Sequence, residues 1–237
     1  MISQADEDHH RAPEGGPRHQ GGKLGLAAAG RTESTRTDEL QHRVRNTLAV
    51  IRSVFSRTVA NGTSLEDVAD HFQGRLDTIA PFASGRGTSI QAAYPLEALV
   101  WDQLLRYPDG AEDRITVTGP PELLPHRIAQ PLALAFHELI TNAIKFGAFA
   151  SEPYGRLRVD WRRERDELVI HWQESGIGIV AAAPFRSGFG REYIEQALPY
   201  QIGAETSLDL QPGGMRCIIR IRAASIPGRP LDAEELE

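Results

Sequence analysis

The segment at 127–148, RIAQPLALAFHELITNAIKFGA, constrains the fold more than any other part of this 237-residue chain. At 100° per residue, apolar side chains occupy most of the circumference of a helix here, which predicts a long helix buried on several sides. Glu138, Asn142 and Lys145 follow one another at i, i+4 and i+7 and form a polar stripe along that helix. Burying a polar side chain is costly unless it has a partner, so the stripe must face something polar.

The polar stripe has two interpretations. It can be an internal ion pair with a hydrogen-bonding asparagine. It can also bind a phosphorylated ligand and its metal, because carboxylate and amide oxygens suit Mg²⁺ and a lysine suits phosphate. The helix alone does not decide between them.

The segments around this helix predict a sheet. Alternating residues and turn signals predict strands over 113–120, 155–164, 167–175 and a strand hairpin over 204–223 turned at 212–214, with helices over 94–107 and 188–202. Helices mixed with antiparallel strands favour one sheet with helices packed on one face, which is an α+β fold.

Two amphipathic helices precede this region and form a predicted helical hairpin. The first is expected over 37–60, and the second begins after the capping residue Ser64. His42 lies about 160° from the centre of the first helix's apolar face, where either a solvated residue or a reactive group would lie. Two helices alone bury little surface, so the hairpin needs the rest of the chain or a second copy as its partner.

Composition along the chain indicates where the domains begin and end. Residues 1–37 are rich in Gly, Pro, His and charge, so we expect a disordered tail there rather than a sensor domain, with another flexible tail at 225–237. The hairpin then takes 38–86 and a larger domain 87–224.

The net charge of −6 without a basic cluster argues against nucleic-acid binding, and no apolar run approaches a membrane span. The lone Cys217 is expected in the core and fits a cytoplasmic protein.

Two glycine segments are each a weak signal. In HWQESGIGI, a predicted strand ends in Glu174 before Gly176 and Gly178, so a carboxylate could accept from an exocyclic amine while backbone approaches a flat ring. Further on, Gly188 and Gly190 directly precede a helix, which is a geometry that cradles phosphate. Taken singly, each pattern is more often only a turn.

In this order and spacing, HELITNAIKFGA, WQESGIG and GFG resemble the N, G1 and G2 boxes of the ATP-binding domain shared by histidine kinases and gyrase-type ATPases. His137 and the Trp172–Glu174 segment are similar to the marks of the HWE family of sensor histidine kinases. HRVRN at 42–46 resembles that family's phosphoacceptor box. The resemblance covers residues 38 to about 222. It departs from the family at SGIGIV, where GGP is frequent, and at IAPFASG, where a histidine is common.

The resemblance implies a fold and a set of partners. A helical-hairpin dimerisation and phosphoacceptor domain would precede a two-layer α/β sandwich of the Bergerat type that binds ATP and Mg²⁺. The chain would form a homodimer through residues 38–86 and pass a phosphoryl group to the receiver domain of a response regulator. The segment between Gly178 and Gly188 would be a short ATP lid.

The resemblance also implies site roles, residue by residue. His42 would be phosphorylated, and Glu138 would orient or deprotonate the reaction centre. Asn142 would bind Mg²⁺, and the residues near the phosphates would be Lys145, Gly188 and Gly190. Adenine would be bound by Glu174 together with Gly176 and Gly178. The mechanical roles of His137 and Trp172 do not follow from the sequence.

Two other hypotheses keep the fold and change the function. One is a histidine phosphotransfer or regulator-binding protein with an inactive nucleotide site, against which the intact Glu138, Asn142 and glycine set argues. The other is a serine-kinase anti-sigma factor, which would have no use for a hairpin carrying His42.

Overall fold

A computed structural model describes residues 41, 44–45, 47–60, 62, 64–83, 93–105, 112–150, 154–177 and 188–226. Contacts divide the chain into two units, Met1–Asn46 and Thr47–Glu237. In the first unit, residues 41, 44 and 45 are helical, and Arg45 Nε donates to the Gln41 carbonyl at 3.3 Å. The predictions for residues 1–37, for His42, and for Gly178 and the whole lid segment between Gly178 and Gly188 lie outside the described residues.

The second unit begins with the two hairpin helices. Helix α1 covers residues 47–60 and helix α2 covers Leu65–Ala83. Ser64 Oγ accepts from the Asp67 N–H at 3.1 Å, which confirms the predicted cap. Val54 from α1 and Phe82 from α2 belong to the same apolar core as the rest of the unit. In this chain the hairpin therefore packs against its own larger domain, with α2 lying along α4 (His126–Lys145).

The larger domain contains a mixed sheet, of which the described residues form five strands. These are β2 (Ile115–Thr118), β4 (Arg156–Glu164), β5 (Glu167–Ser175), β6 (Ala204–Gln211) and β7 (Gly214–Arg222). Their order is β2-β4-β5-β7-β6, with β2 parallel to β4 and the other described neighbours antiparallel.

Two short strands correct the predicted single sheet. β1 (Ala93–Pro95) pairs antiparallel with β3 (Leu123–Pro125) in a separate two-stranded sheet. As a result the helix predicted from residue 94 is shorter, because α3 covers only Leu96–Leu104. The Leu96 N–H donates to the Glu122 carbonyl at 2.9 Å and ties the start of α3 to this small sheet.

Helices cover one face of the large sheet. Besides α3 and α4, the chain forms a last helical stretch made of α5 (Phe189–Glu192), a π turn (Tyr193–Ala197) and α6 (Leu198–Ile202). Alternate residues of β4, β5 and β7 are buried beneath them, including Val159, Ile170 and Cys217. The α+β, two-layer architecture is as predicted. None of the described helices is long and apolar enough to cross a membrane.

Candidate active site

Two of the three motif segments line one pocket at one end of the sheet. The end of α4, the end of β5 and the start of β7 enclose a pocket. It is lined by Asn142, Phe146, Gly147, Glu174, Ile177, Leu210, Gly214 and Met215. Asn142 and Glu174 were expected from the sequence, and the other six lining residues were not. The fold thus brings the polar stripe of α4 and the acid of β5 to the same pocket.

Glu174 is the buried acid of this pocket, with an exposure of 2%. Its Oε1 accepts from Trp172 Nε1 at 3.0 Å, and its Oε2 accepts from the Ala148 N–H at 2.8 Å. Burial raises the pKa of the Glu174 carboxyl, and these two hydrogen bonds oppose the rise. A carboxylate has about four lone-pair sites, so Glu174 is oriented and can still accept from a ligand.

The position of Trp172 beside Glu174 follows from the geometry of strand β5. Residues two apart in β5 point to the same face, so Trp172 stands beside Glu174 and donates to it. Its ring also stacks on Phe136 of α4, with 6.4 Å between centroids. The Trp-x-Glu spacing could have indicated this hydrogen bond from the sequence.

Two glycines that the sequence did not single out as site residues allow the backbone to come close to Glu174. A Cβ at Gly147 would lie 1.9 Å from Glu174 Oε2, and a Cβ at Gly214 would lie 2.1 Å from the Glu174 carbonyl oxygen. Gly176, from the predicted set, has a φ of +71°, and a Cβ there would lie 2.1 Å from the Tyr154 carbonyl oxygen. Glycine at these three positions lets the surrounding turns close on the acid.

The second glycine segment lies against the polar stripe. A Cβ at Gly190 would lie 3.0 Å from Glu138 Oε2 and 3.3 Å from Asn142 Nδ2. Gly188 directly precedes α5 in an extended conformation. The structure therefore brings Gly190, Glu138 and Asn142 together.

Glu138 forms a buried ion pair that the sequence did not identify. Arg75 Nε donates to Glu138 Oε1 at 2.8 Å and Arg75 Nη2 donates to Oε2 at 3.0 Å. The internal ion pair considered for the stripe exists, but its cation comes from α2 and not from Lys145. Arg75 stands three residues after Phe72 and four before Ile79. A charged residue at an apolar helical spacing was the available signal.

Lys145 and His137 also contact α2. Lys145 Nζ lies 2.7 Å from His71 Nε2, and His71 Nδ1 lies 2.8 Å from the Asp67 carbonyl oxygen. With Nδ1 donating to Asp67, Nε2 can accept from the ammonium group. A Cβ at Gly74 would lie 3.0 Å from His137 Cε1, so His137 packs closely against the hairpin.

Comparison with known proteins finds similarity to histidine kinases. The family model described as HWE histidine kinase matches residues 39–121. Blue-light-activated histidine kinase 1 of Erythrobacter litoralis is 32% identical over 142 residues, which are 58% of this chain and 39% of that protein. The blue-light-activated histidine kinase of Brucella ovis is 27% identical over 181 residues, covering 75% of this chain and 37% of that protein. The chain thus spans less than half of the length of these relatives.

Solved structures share the fold. A blue-light-activated histidine kinase from Erythrobacter litoralis matches with a TM-score of 0.58 at 22% identity, over 80% of this chain and 59% of that one. The histidine kinase domain of such a kinase from the same organism matches with a TM-score of 0.56 at 20% identity, over 79% and 90% of the two chains. This likeness supports the architecture of hairpin and sandwich.

Proposed function

We propose that this chain is an ATP:protein-histidine phosphotransferase of a two-component signalling system, because the HWE histidine kinase family model matches its residues 39–121 and the relatives it resembles are histidine kinases. It transfers the γ-phosphoryl group of ATP to His42, and from there to an aspartate of a response regulator.

The observation that carries the proposal is the buried, oriented Glu174 in a glycine-framed pocket that also contains Asn142. Adenine is flat and carries an exocyclic amine that donates hydrogen bonds. The free lone pairs of Glu174 can accept from that amine. Glycines at 147, 176 and 214 carry no side chain that could block a flat ring, and we assign Gly178 from the same motif to adenine binding as well.

The remaining predicted residues serve the phosphates. Asn142 would give Mg²⁺ an amide oxygen, since this ion keeps several waters and takes other ligands from substrate phosphates. When bound, Mg²⁺ neutralises charge on the triphosphate. Lys145, Gly188 and Gly190 are the residues of this chain that we assign to the phosphate groups.

The transfer step balances as a simple displacement at phosphorus. The bond from the γ-phosphorus to the bridging oxygen breaks, and a bond to an imidazole nitrogen of His42 forms, so that ADP leaves with the oxygen. The imidazole proton passes to an acceptor, for which Glu138 is our candidate. Imidazole suits this role because it is largely neutral and nucleophilic near pH 7.

The proposal extends to assembly and location. A homodimer through residues 38–86 is supported by exposed apolar side chains on the hairpin, among them Leu48 at 59% and Leu65 at 86%. A cytoplasmic location agrees with the free thiol of Cys217. The receiver domain of a response regulator is the proposed acceptor of the phosphoryl group.

Phosphoryl labelling of two histidine variants tests the function. With ATP labelled at the γ-position, wild type is expected to incorporate acid-labile phosphate and His42→Ala to incorporate none. His171→Ala is the control, because His171 pairs with Asp160 on the sheet at 3.3 Å and has no assigned role. Labelling that persists in His42→Ala would contradict the assignment. Failure of wild type to bind ATP·Mg²⁺ in calorimetry would favour a protein with an inactive nucleotide site.

A further inference from the structure

Arg75 connects three elements that carry the kinase motifs or the hairpin. Its Nε and Nη2 bind both oxygens of Glu138 on α4. Its Nη1 donates to Thr58 Oγ1 on α1 at 2.8 Å, and Thr58 in turn donates to the Val54 carbonyl at 2.6 Å. Its guanidinium carbon lies 3.8 Å from the ring centroid of Phe189, between the two glycines of the second glycine segment. One side chain of α2 therefore contacts α1, α4 and α5.

The Arg75–Glu138 ion pair does more than fill space in the core. Arg75 and Glu138 are 5% and 4% exposed, and burying such a pair costs desolvation that its attraction only partly repays. Apolar side chains of similar size could fill the same space at equal or better stability. The planar fork of an arginine does something that they cannot do, because its two parallel hydrogen bonds fix the plane and direction of the carboxylate.

The pairing leaves Glu138 able to act. The two hydrogen bonds from Arg75 use one lone pair on each oxygen, so a carboxylate with about four acceptor sites keeps the remainder. Gly190 also borders Oε2 at the same place. Glu138 is thus held in one orientation beside the second glycine segment and keeps acceptor sites that Arg75 does not use.

We infer that Arg75 is a positioning residue for phosphoryl transfer, acting through Glu138 and holding the hairpin in register with the second glycine segment. The inference rests on the proposed kinase function and deepens it. Arg75 is absent from the lining of the Glu174 pocket. Its loss should therefore slow the transfer step and leave nucleotide binding almost unchanged.

The test separates rate from binding in autophosphorylation. Arg75→Met is expected to lower the rate at saturating ATP by about 100-fold, the size of effect typical of a general base that is no longer positioned. The ATP concentration for half-maximal rate should change by less than about threefold, since the residues proposed to bind ATP are unchanged in this variant. Arg75→Lys should remain well below wild type, because it restores the charge but not the fork.

A double-variant comparison shows whether Arg75 acts through Glu138. Glu138→Gln should be as slow as Arg75→Met, and combining the two should add little, since residues that act as a unit are not additive. The matched control is Arg163→Met, because Arg163 binds both oxygens of Glu122 in the same forked way and lies on β4 away from the site. The control should keep the wild-type rate.

A second double variant keeps the test valid if a lone substitution unfolds the protein. Removing Arg75 alone leaves a buried carboxylate without its partner, which destabilises proteins strongly. Arg75→Met combined with Glu138→Met removes both charges and should restore the thermal midpoint towards wild type while the rate stays low. Recovery of the rate together with stability would show a purely structural role and overturn the inference.

Other outcomes also overturn the inference. An Arg75→Met rate equal to or above that of wild type would mean that the pair has no positioning role or restrains the enzyme. Full additivity with Glu138→Gln would separate the two residues. If wild type itself incorporates no phosphate at His42, the proposed function fails first and the inference falls with it. An active wild type with an unaffected Arg75→Met sinks the inference alone.

Discussion

At the residue scale, the Trp172–Glu174 pair shows how a strand can orient a buried acid. The indole N–H of Trp172 donates to one carboxylate oxygen of Glu174 and the Ala148 N–H donates to the other, so the carboxylate cannot rotate freely. Trp172 is therefore more than a residue of the core. Its donor governs how Glu174 presents its remaining lone pairs to a ligand.

Trp172→Phe is expected to weaken nucleotide binding by roughly 10- to 100-fold, because a hydrogen bond to a charged group contributes about 1.5–3 kcal/mol and 1.4 kcal/mol is a factor of ten. Titration with an ATP analogue measures the effect. Trp161→Phe is the matched control, since Trp161 Nε1 donates to the Pro120 carbonyl at 2.8 Å on a neighbouring segment. Equal loss of affinity in both variants would show that Trp172 acts only through packing.

The sequence could predict a site residue where its partners lie nearby in the chain, and could not where they are distant in the chain. Glu174 was identifiable because a strand end and a glycine turn are adjacent in the chain. The partner of Glu138 was not, because Arg75 lies 63 positions away and only tertiary packing brings the two together. Gly147 and Gly214 were missed for the same reason, since their close approach to Glu174 crosses elements.

At the element scale, Tyr193 joins the last helical stretch to α4. Its hydroxyl donates to the Pro131 carbonyl at 3.1 Å, and its ring stacks on Phe189 with 5.6 Å between centroids. Tyr193 begins the π turn, and Pro131 lies inside α4. Burial raises the pKa of the Tyr193 hydroxyl, so it remains a donor under ordinary conditions.

Tyr193→Phe should lower the free energy of unfolding by about 1 kcal/mol, the usual net contribution of one hydrogen bond. Urea unfolding followed by circular dichroism measures it. Tyr200→Phe removes a hydroxyl from a side chain that is 93% exposed and should have no effect. An unchanged midpoint in Tyr193→Phe would indicate that the ring alone carries the contact.

Elements were predictable where their pattern was long and regular. The strand expected over 167–175 is β5, and its neighbours β4 and β7 alternate as clearly. β1 and β3 were missed because three residues are too few to show a period of two. The start of α3 was placed two residues early for the same reason, since Tyr94 and Pro95 pair with β3.

At the scale of the whole molecule, the hairpin has one covered and one open side. α2 lies along α4, and Phe55 of α1 meets Phe72 of α2 edge-to-face with 5.2 Å between centroids. Leu48, Phe55 and Val59 nevertheless remain about half exposed on α1. They recur at helical spacing on one face, which suits the proposed pairing of two hairpins.

Light scattering should give a mass about twice the chain mass of 26.1 kDa for wild type. Leu48→Glu combined with Val59→Glu should give a monomer, because charges on that face would be buried in the dimer. Leu105→Glu alters an apolar side chain that is 76% exposed outside the hairpin and should leave the mass unchanged. A monomeric wild type at every concentration would contradict the proposed dimer.

The position of Cys217 has a practical consequence for studying the molecule. It is the only cysteine in the chain, it is fully buried in β7, and burial raises its pKa to about 12. Because thiol reagents attack the thiolate, the native protein should stay unmodified by a maleimide at neutral pH. A cysteine introduced at an exposed polar position of the hairpin such as Asp70 can therefore carry a single spectroscopic label without a cysteine-free background, which makes the hairpin directly accessible to distance measurement.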